Sequence, residues 1–276
     1  MKLSIITINF NNLEGLKKTY DSVVCQTWTD YEWIVIDGGS TDGSREFIEE
    51  HQDKFAYWCS EPDKGVYNAM NKGIAKAKGE YLNFMNSGDS FYEAQTLEKV
   101  FRESLTGDLI YGDWIRAYSD HEEFKEAPIK GFHSIVFFEN VCHQAMFIRS
   151  EILQSKGYDE DFRIYADWKR WMDMSLDGQT FQKVPFVVCK FDAGMGISDT
   201  CFKERSEDFL RICDVLPREI GYNMRKSHDL EMKMWEHQHN PLISDVIRVA
   251  SQGSSYKTKF IHVTIAVIKV LEKVFH

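Results

Sequence analysis

The sequence predicts an α/β fold with a mixed, mostly parallel sheet flanked by helices and a helical C-terminal appendage. Three observations predict it. Strand-like and helix-like segments alternate at short spacing over the first hundred residues, and the residues after Ser198 are helical and charged in composition. The chain has 276 residues, of which 43% are hydrophobic, which is enough for one large core or two modest ones. Alternating strands and helices are typical of parallel sheets with right-handed crossovers.

Each predicted element follows from its hydrophobic periodicity and its flanking residues. The first half is expected to contain strands at 3–8, 32–37, 55–60 and 80–85, and helices at 13–24, 43–51 and about 66–78. Ser40 or Thr41 is the expected cap of the second helix. After about Gly107 the order is mixed, with strands expected at 108–114, 142–148 and 183–191 and an amphipathic helix at 167–178. We therefore predict a main domain at 1–198, made of halves 1–106 and 107–198, and a helical extension at 199–276.

Polar, glycine-containing segments follow the first four predicted strands. They are Thr7–Asn11, residues 37–42, residues 61–65 and Asn86–Asp89. Because open α/β sheets bind ligands at the carboxyl ends of their strands, these segments are expected to converge on one binding edge. The first strand is followed neither by a Walker phosphate loop nor by G-x-G-x-x-G, so the pattern does not fit an ATPase or a nicotinamide enzyme.

The composition excludes some function classes. A formal charge of -10 makes a nucleic-acid partner unexpected, because phosphate neutralisation needs a basic surface. The six cysteines are scattered without closely spaced metal pairs, which is typical of reduced thiols in a cytosolic protein. The N-terminus is read as a first strand without an export signal. The expected location is therefore cytoplasmic.

Several motifs then occur in a recognisable order. "SIITINFNN", "WIVIDGGSTDGS" and "EPDKGVYNAMNKGIAKAKGEYLNFMNSGD" fall within the first ninety residues, and "YGD", "CHQAMFI" and "YDEDFRIYADWKRW" follow up to about Leu176. Together they resemble the family 2 glycosyltransferases with the GT-A fold, which is Rossmann-like. In closer detail the chain is similar to bacterial members that build surface polysaccharides such as colanic acid.

The resemblance implies a site for a nucleotide-diphosphate sugar. Thr7, Asn9 and Asn11 would line its nucleobase and ribose end, and Asp37 would contact the base. A carboxylate after a strand can accept hydrogen bonds from a base N–H, which fits independently; alternatively, Asp37 only bonds the amides of its own turn. Further donor contacts are predicted at Asp63, Lys64 and Lys72, although "EPDKG" also fits an ordinary turn.

A divalent cation is also implied by the resemblance. The family's acidic metal motif falls here on Asn86, Gly88 and Asp89, so two of the usual carboxylates are missing. Mn²⁺ or Mg²⁺ can take few protein ligands when phosphates and waters supply the rest. Asp89 is therefore the predicted metal ligand, with His143 as a second one. An alternative for His143 is a structural or substrate-contacting role. A separate alternative is that Lys72 or Arg163 stabilises the diphosphate without metal.

The general base is predicted at Asp167. Transfer with inversion needs a carboxylate that takes the proton of the acceptor hydroxyl, and the family's base falls on Asp167, with Ala166 where a Glu is common. The alternative is that Asp167 only caps the helix that follows.

The last predicted feature is an amphipathic tail. Its apolar stripe contains Phe260, Val263, Val267, Val270 and Val274, with lysines around it. Such a stripe packs on its own domain or on a second copy in a homo-oligomer, or it lies peripherally on the inner membrane face. The predicted function is sugar transfer to a glycan or lipid-linked acceptor in bacterial surface polysaccharide synthesis. The rival readings are a non-catalytic nucleotide-sugar-binding scaffold and a nucleotidyltransferase, and "NFNNLEG" lacks the basic loop that the latter needs.

Overall fold

The computed structural model describes residues 1–128, 142–193, 196 and 201–237. Within these residues it contains a nine-stranded sheet and eight α-helices. The strands are β1 (Leu3–Asn9), β2 (Tyr31–Asp37), β3 (Tyr57–Ser60), β4 (Tyr81–Phe84), β5 (Ser90–Phe91), β6 (Leu109–Ala117), β7 (Glu122–Lys125), β8 (Met146–Arg149) and β9 (Phe181–Asp192). The helices are α1 (Leu13–Val24), α2 (Ser44–Glu50), α3 (Val66–Lys76), α4 (Thr96–Arg102), α5 (Ser150–Ser155), α6 (Ala166–Leu176), α7 (Phe202–Val215) and α8 (Arg218–His237).

The sheet has a parallel half and a mixed half. Its strand order is β3-β2-β1-β4-β8-β6-β9-β5, and β7 pairs with β6 outside this path. Strands β1 to β4 are parallel to one another. Strand β8 runs antiparallel to both β4 and β6, whereas β9 runs parallel to β6. The predicted α/β class with a mixed, mostly parallel sheet is confirmed, and the carboxyl ends of β1 to β4 meet at one edge.

The burial of each strand explains its composition. Every residue of β1 is buried, as expected for a strand covered by helices on both faces of the sheet. The peripheral strand β7 has no buried residue, and three of its four side chains are charged. The core beneath the parallel half is aromatic, with Trp33 lying 4.9 Å from Phe55 between ring centroids. Helix α3 packs closely on β1, because a Cβ added to Gly73 would lie 2.5 Å from Ile6 Cγ2.

Two local predictions are wrong in detail. Helix α2 begins after Gly43, and neither Ser40 nor Thr41 caps it; instead Asp42 Oδ1 accepts hydrogen bonds from the backbone N–H and hydroxyl of Ser44. The segment 142–148 is not a continuous strand, because His143–Ala145 forms a 3₁₀ turn before β8. His143 therefore lies in a turn and not in strand β8.

The chain forms two compact units, Met1–Ile212 and Cys213–His276. The first unit continues past the predicted domain end at residue 198 to include most of α7. The second unit is described up to residue 237 and contains α8. The apolar stripe of the tail, from Phe260 to Val274, lies outside the described residues. Among the described helices, none is both long and apolar enough to cross a membrane.

Candidate active site

The polar segments at the carboxyl ends of β1, β2 and β4 are joined through Asn9. The Asn9 amide nitrogen donates to Asp37 Oδ1 at 2.7 Å and to Ser40 Oγ at 3.2 Å. Its side-chain oxygen Oδ1 accepts from the Ser87 hydroxyl at 2.7 Å. Asn9 is only 4% exposed. One buried side chain therefore fixes the loops after three neighbouring strands relative to one another.

Asp37 is the centre of the loop after β2. Its two oxygens accept hydrogen bonds from Asn9, from the Ser40 backbone and hydroxyl, and from the Ser60 hydroxyl at 2.6 Å, with the Gly39 amide at 3.2 Å. Burial raises the pKa of this carboxyl, but the hydrogen bonds outweigh burial, and the pKa lies below its ordinary value. Asp37 therefore accepts hydrogen bonds from the amides of its own turn, as one of the two readings predicts. Contact between Asp37 and the nucleobase of a donor stays a prediction.

Thr7 and Asn11 occupy different surroundings. Thr7 is fully buried; its hydroxyl donates to Met85 O at 2.8 Å and accepts from Trp33 Nε1 at 3.0 Å. We leave Thr7 out of the proposed site because this hydroxyl lies inside the core. Asn11 is exposed, has a positive φ of 48°, and accepts from the Thr41 amide at 2.9 Å. Asn11 therefore lies at the open edge, where the prediction places it.

The segment after β3 carries the three other predicted donor contacts. Asp63 Oδ1 accepts from the Gly65 amide at 2.8 Å, just before α3. Lys64 is exposed. Lys72 donates to Glu61 at 2.8 Å, and this hydrogen bond raises the pKa of the lysine and lowers that of Glu61. Glu61 therefore compensates part of the charge that Lys72 would offer to a phosphate.

Phe10, which the sequence analysis did not single out, is exposed beside this segment. Its side chain follows the buried strand β1 directly, and Phe10 is 64% exposed. A Cβ added to Gly38 would meet both Asp63 Oδ2, at 2.5 Å, and the Phe10 ring, at 3.1 Å. The Phe10 ring and the Asp63 carboxylate therefore pack directly against Gly38, and a residue with a Cβ would not fit there without a shift of Asp63. An aromatic residue placed directly after a buried strand was the available sequence signal.

The loop after β4 holds Asp89 in a buried position. Asp89 is 4% exposed; one oxygen accepts from Gln144 Nε2 and the other from the Asp192 amide at 2.9 Å. Burial raises the pKa of Asp89 to about 6, and the hydrogen bonds from the Asp192 backbone and Gln144 oppose that rise. Gln144, in the 3₁₀ turn before β8, and the backbone of Asp192, at the end of β9, thus enclose the carboxylate that ends the "NSGD" turn, which local sequence did not indicate.

The predicted base lies in a second cluster, at the start of α6. Asp167 Oδ1 accepts from the Trp168 amide at 2.7 Å and lies 3.0 Å from the Tyr67 hydroxyl. Asp167 Oδ2 lies 2.9 Å from His143 Nδ1. The N-cap of α6 is Tyr165, so Asp167 is inside the helix and does not cap it. Burial, and then the charge of Asp167, raise the pKa of Tyr67 well above its ordinary value, which keeps this phenol protonated.

His143 connects this cluster to the loop after β4. Its Nε2 lies 3.0 Å from the amide nitrogen of Asn86. The side chain of His143 is 18% exposed and that of Asp167 is 7% exposed. Both ring nitrogens therefore contact partners from the chain, and we do not propose His143 as a metal ligand.

Asp208 of α7 supports the backbone that leads into α6. Its Oδ2 accepts from three consecutive amides, those of Arg163, Ile164 and Tyr165, at 2.9, 2.6 and 3.1 Å. Asp208 is 4% exposed. The Arg163 side chain points elsewhere, since its guanidinium lies 3.7 Å from Glu204. Asp208 was missed because it lies about forty residues further along the chain than the segment it holds.

Comparison with known proteins identifies the family of this chain. The sequence profile of Glycosyl transferase family 2 matches residues 4–168, which is more than half of the chain. The chain belongs to glycosyl transferase family 2. The matched range contains both clusters described above, apart from the segments of β9 and α7 that support them. The family predicted from the sequence is confirmed, and the chain is a glycosyltransferase.

Two similar proteins of this family come from Mycobacterium tuberculosis. An uncharacterised glycosyltransferase is 36% identical over 201 residues, which covers 70% of this chain and 76% of the relative. A PGL/p-HBAD biosynthesis glycosyltransferase is 34% identical over 172 residues, covering 60% of this chain and 66% of the relative. These relatives support the family, and the closer likeness to colanic-acid members stays a prediction.

Two solved structures are similar in fold. S. aureus TarS in complex with UDP has a TM-score of 0.62 at 15% sequence identity, covering 81% of this chain and 69% of TarS. The mannosyltransferase PcManGT from Pyrobaculum calidifontis, in complex with GDP-Man and Mn²⁺, has a TM-score of 0.58 at 15% identity, covering 100% of this chain and 81% of that protein. The family 2 chain therefore has the GT-A fold.

The Mn²⁺ of that mannosyltransferase raises the question of whether this family 2 chain offers a comparable site. Among the described residues, no group of three or more His, Cys, Asp or Glu side chains is arranged to hold a metal ion. Asp89 is buried and each of its oxygens accepts one hydrogen bond, so little of this carboxylate is open to a cation. Cation binding by Asp89 together with a diphosphate and waters therefore stays a prediction.

Proposed function

We propose that this glycosyltransferase moves a sugar from a nucleotide-diphosphate donor to a hydroxyl of a glycan or lipid-linked acceptor, with inversion at the transferred carbon. The observation that supports it is the position of the two clusters. The loops joined by Asn9 form one edge of the parallel sheet, and the Asp167–His143 pair reaches the same edge through Asn86. A donor-binding edge beside a basic group is what an inverting displacement needs.

The nucleotide is proposed to bind across the carboxyl ends of β1, β2 and β3. Phe10 offers an exposed ring for base stacking, and this ring lies beside Gly38 and Asp63. Asn11, Asp63 and Lys64 are the polar groups at this edge. The buried Asn9 and Asp37 hold the loops in place, so their contribution to binding is preorganisation.

The acceptor hydroxyl is proposed to lose its proton to the Asp167–His143 pair. Asp167 supplies the negative charge, and the protonated Tyr67 and the Trp168 amide hold its other oxygen. As the hydroxyl oxygen bonds to the sugar carbon, the bond from that carbon to the diphosphate oxygen breaks, and the nucleoside diphosphate leaves with the electron pair. We propose surface polysaccharide or glycolipid synthesis as the setting, because the similar mycobacterial protein is named for PGL/p-HBAD biosynthesis.

The test is calorimetric titration of the purified protein with UDP, GDP, UDP-GlcNAc and GDP-mannose, each with and without Mn²⁺. We expect one nucleotide to bind. Replacing Phe10 by Ala should weaken that binding by about 1–3 kcal/mol if the ring stacks on the base. The matched control is Phe124→Ala, since Phe124 is 57% exposed and lies on β7, which pairs with β6 outside the strand path that contains β1 to β3.

The outcomes separate the competing functions. Equal affinities for the Phe10→Ala and Phe124→Ala proteins would contradict the proposed position of the base. Failure of every nucleotide to bind, with and without Mn²⁺, would contradict the donor-binding function itself. Nucleotide binding without release of nucleoside diphosphate from any sugar conjugate would favour the non-catalytic scaffold.

A further inference from the structure

The Asp167–His143 pair has a buried end and a more exposed end. Asp167 is surrounded by the Tyr67 hydroxyl, the Trp168 amide and His143, and its side chain is 7% exposed. The side chain of His143 is 18% exposed, and its Nε2 faces the loop after β4. An acceptor that approaches the donor edge therefore reaches the imidazole more readily than the carboxylate.

We infer that Nε2 of His143, rather than an oxygen of Asp167, takes the proton of the acceptor hydroxyl. This inference rests on the proposed function and specifies which atom acts as the base. Asp167 then acts through His143: it fixes the ring by accepting from Nδ1–H and stabilises the imidazolium that forms. The same division of roles operates wherever a carboxylate orients a catalytic histidine.

Asn86 supports this assignment through its hydrogen bonds. When its amide nitrogen donates to Nε2, the imidazole carries its proton on Nδ1, and the unprotonated Nε2 accepts this hydrogen bond through its electron pair. Among the described residues, Asn86 Oδ1 is buried without a hydrogen-bond partner. A turned amide would present this oxygen to a protonated Nε2. Asn86 thus pairs with neutral His143 as a donor and with charged His143 as an acceptor.

The proton balance of the step is complete. The acceptor oxygen forms its bond to the sugar carbon, its proton moves to Nε2, and the nucleoside diphosphate leaves with the electrons of the broken bond. The imidazolium is neutralised by Asp167 until it returns the proton to solvent. The acceptor hydroxyl has to displace the Asn86 amide from Nε2 before this transfer.

The first test needs no substrate. In protein labelled with ¹⁵N-histidine, the nitrogen shifts of His143 at neutral pH should show a proton on Nδ1 and none on Nε2. Asp167→Asn should change this tautomer preference, since an amide can also donate. A wild-type His143 that carries its neutral proton on Nε2 would overturn the inference.

The second test is chemical rescue of His143→Ala. With the nucleotide sugar that binds, and with water as the acceptor, release of nucleoside diphosphate should fall about 10²–10⁴-fold, the usual contribution of general base catalysis. Added imidazole should restore at least about a tenth of the lost rate. A purely structural histidine would give no such rescue.

The matched control is His121→Ala. His121 also pairs with an aspartate, Asp120, at 2.7 Å, but it lies in the exposed turn between β6 and β7. Its loss should change neither the rate nor the response to imidazole. Calorimetry gives the nucleotide affinity of the His143→Ala protein. It therefore distinguishes a loss of donor binding from a loss of proton transfer.

Suppose that the His143→Ala protein binds the nucleotide as wild type does. If its rate of nucleoside diphosphate release is unchanged, or falls and is not restored by imidazole, Asp167 is the base and the inference is wrong. If wild type itself binds no nucleotide sugar, the proposed function fails and the inference fails with it.

Discussion

Ionisation of Asp89 is expected to destabilise the folded chain as the pH rises. Burial raises the pKa of this carboxyl from an ordinary value of 3.8 to about 6. Between these two values the folded chain holds a proton that the unfolded chain has released. The folded state is therefore favoured below the unfolded pKa, and that advantage is lost as the pH rises through the folded pKa.

The size of this effect follows from the two pKa values. At 1.36 kcal/mol for each pH unit, the full cost of ionising Asp89 in the fold is about 3 kcal/mol. Between pH 4.5 and pH 7.5, the difference in unfolding free energy between wild type and Asp89→Asn should change by about 2 kcal/mol. The unfolding free energy of wild type falls relative to that of the variant as the pH rises. The comparison removes the titration of all other groups that the two proteins share.

Urea unfolding followed by tryptophan fluorescence at several pH values measures this difference. Asp37→Asn is the matched control: Asp37 is also buried after a strand, but its pKa lies below the ordinary value, so its contribution is lost only when the pH falls below that value. The Asp37→Asn difference should therefore be constant over the same range. A constant difference for Asp89→Asn would show that Asp89 is ionised in the fold at every pH tested, and would refute the argument from burial.

Two further substitutions test the packing around the site. Asp208→Ala leaves three amides without their acceptor, two of them buried and one partly buried, and should lower the unfolding free energy by about 3 kcal/mol. Asp161→Ala, which removes an exposed carboxylate, should cost less than about 1 kcal/mol. Equal losses for the two proteins would argue against a support role for Asp208. Gly73→Ala should lower the unfolding free energy by about 1–3 kcal/mol because the new Cβ meets Ile6 at 2.5 Å. In an Ile6→Ala background the same change should raise the unfolding free energy. Urea titration of wild type, the two single variants and the double variant measures this interaction between positions 6 and 73.

The predicted site was partly accessible from local patterns. The position of Asp167 at the start of a helix, and the gathering of strand ends around Asn9 and Asp37, follow from periodicity and from the rule that parallel strands end at one edge. The partners of His143 did not follow, because they belong to separate elements: Asn86 lies in the loop after β4 and Asp167 in α6. Periodicity describes which face a residue occupies, and it does not describe which partner the side chain meets.

The sequence by itself determined the family, the order of the first four strands and first three helices, and the residue types that line the binding edge, because each of these depends on neighbours within a few positions. Only the tertiary structure decided that Asp89 is enclosed by Gln144 and the backbone of Asp192, which lie 55 and 103 positions away. It also decided that Tyr67 and His143 meet Asp167 across 100 and 24 positions. Such contacts arise when separate elements pack on one sheet, and no local pattern specifies which side chains will then face each other.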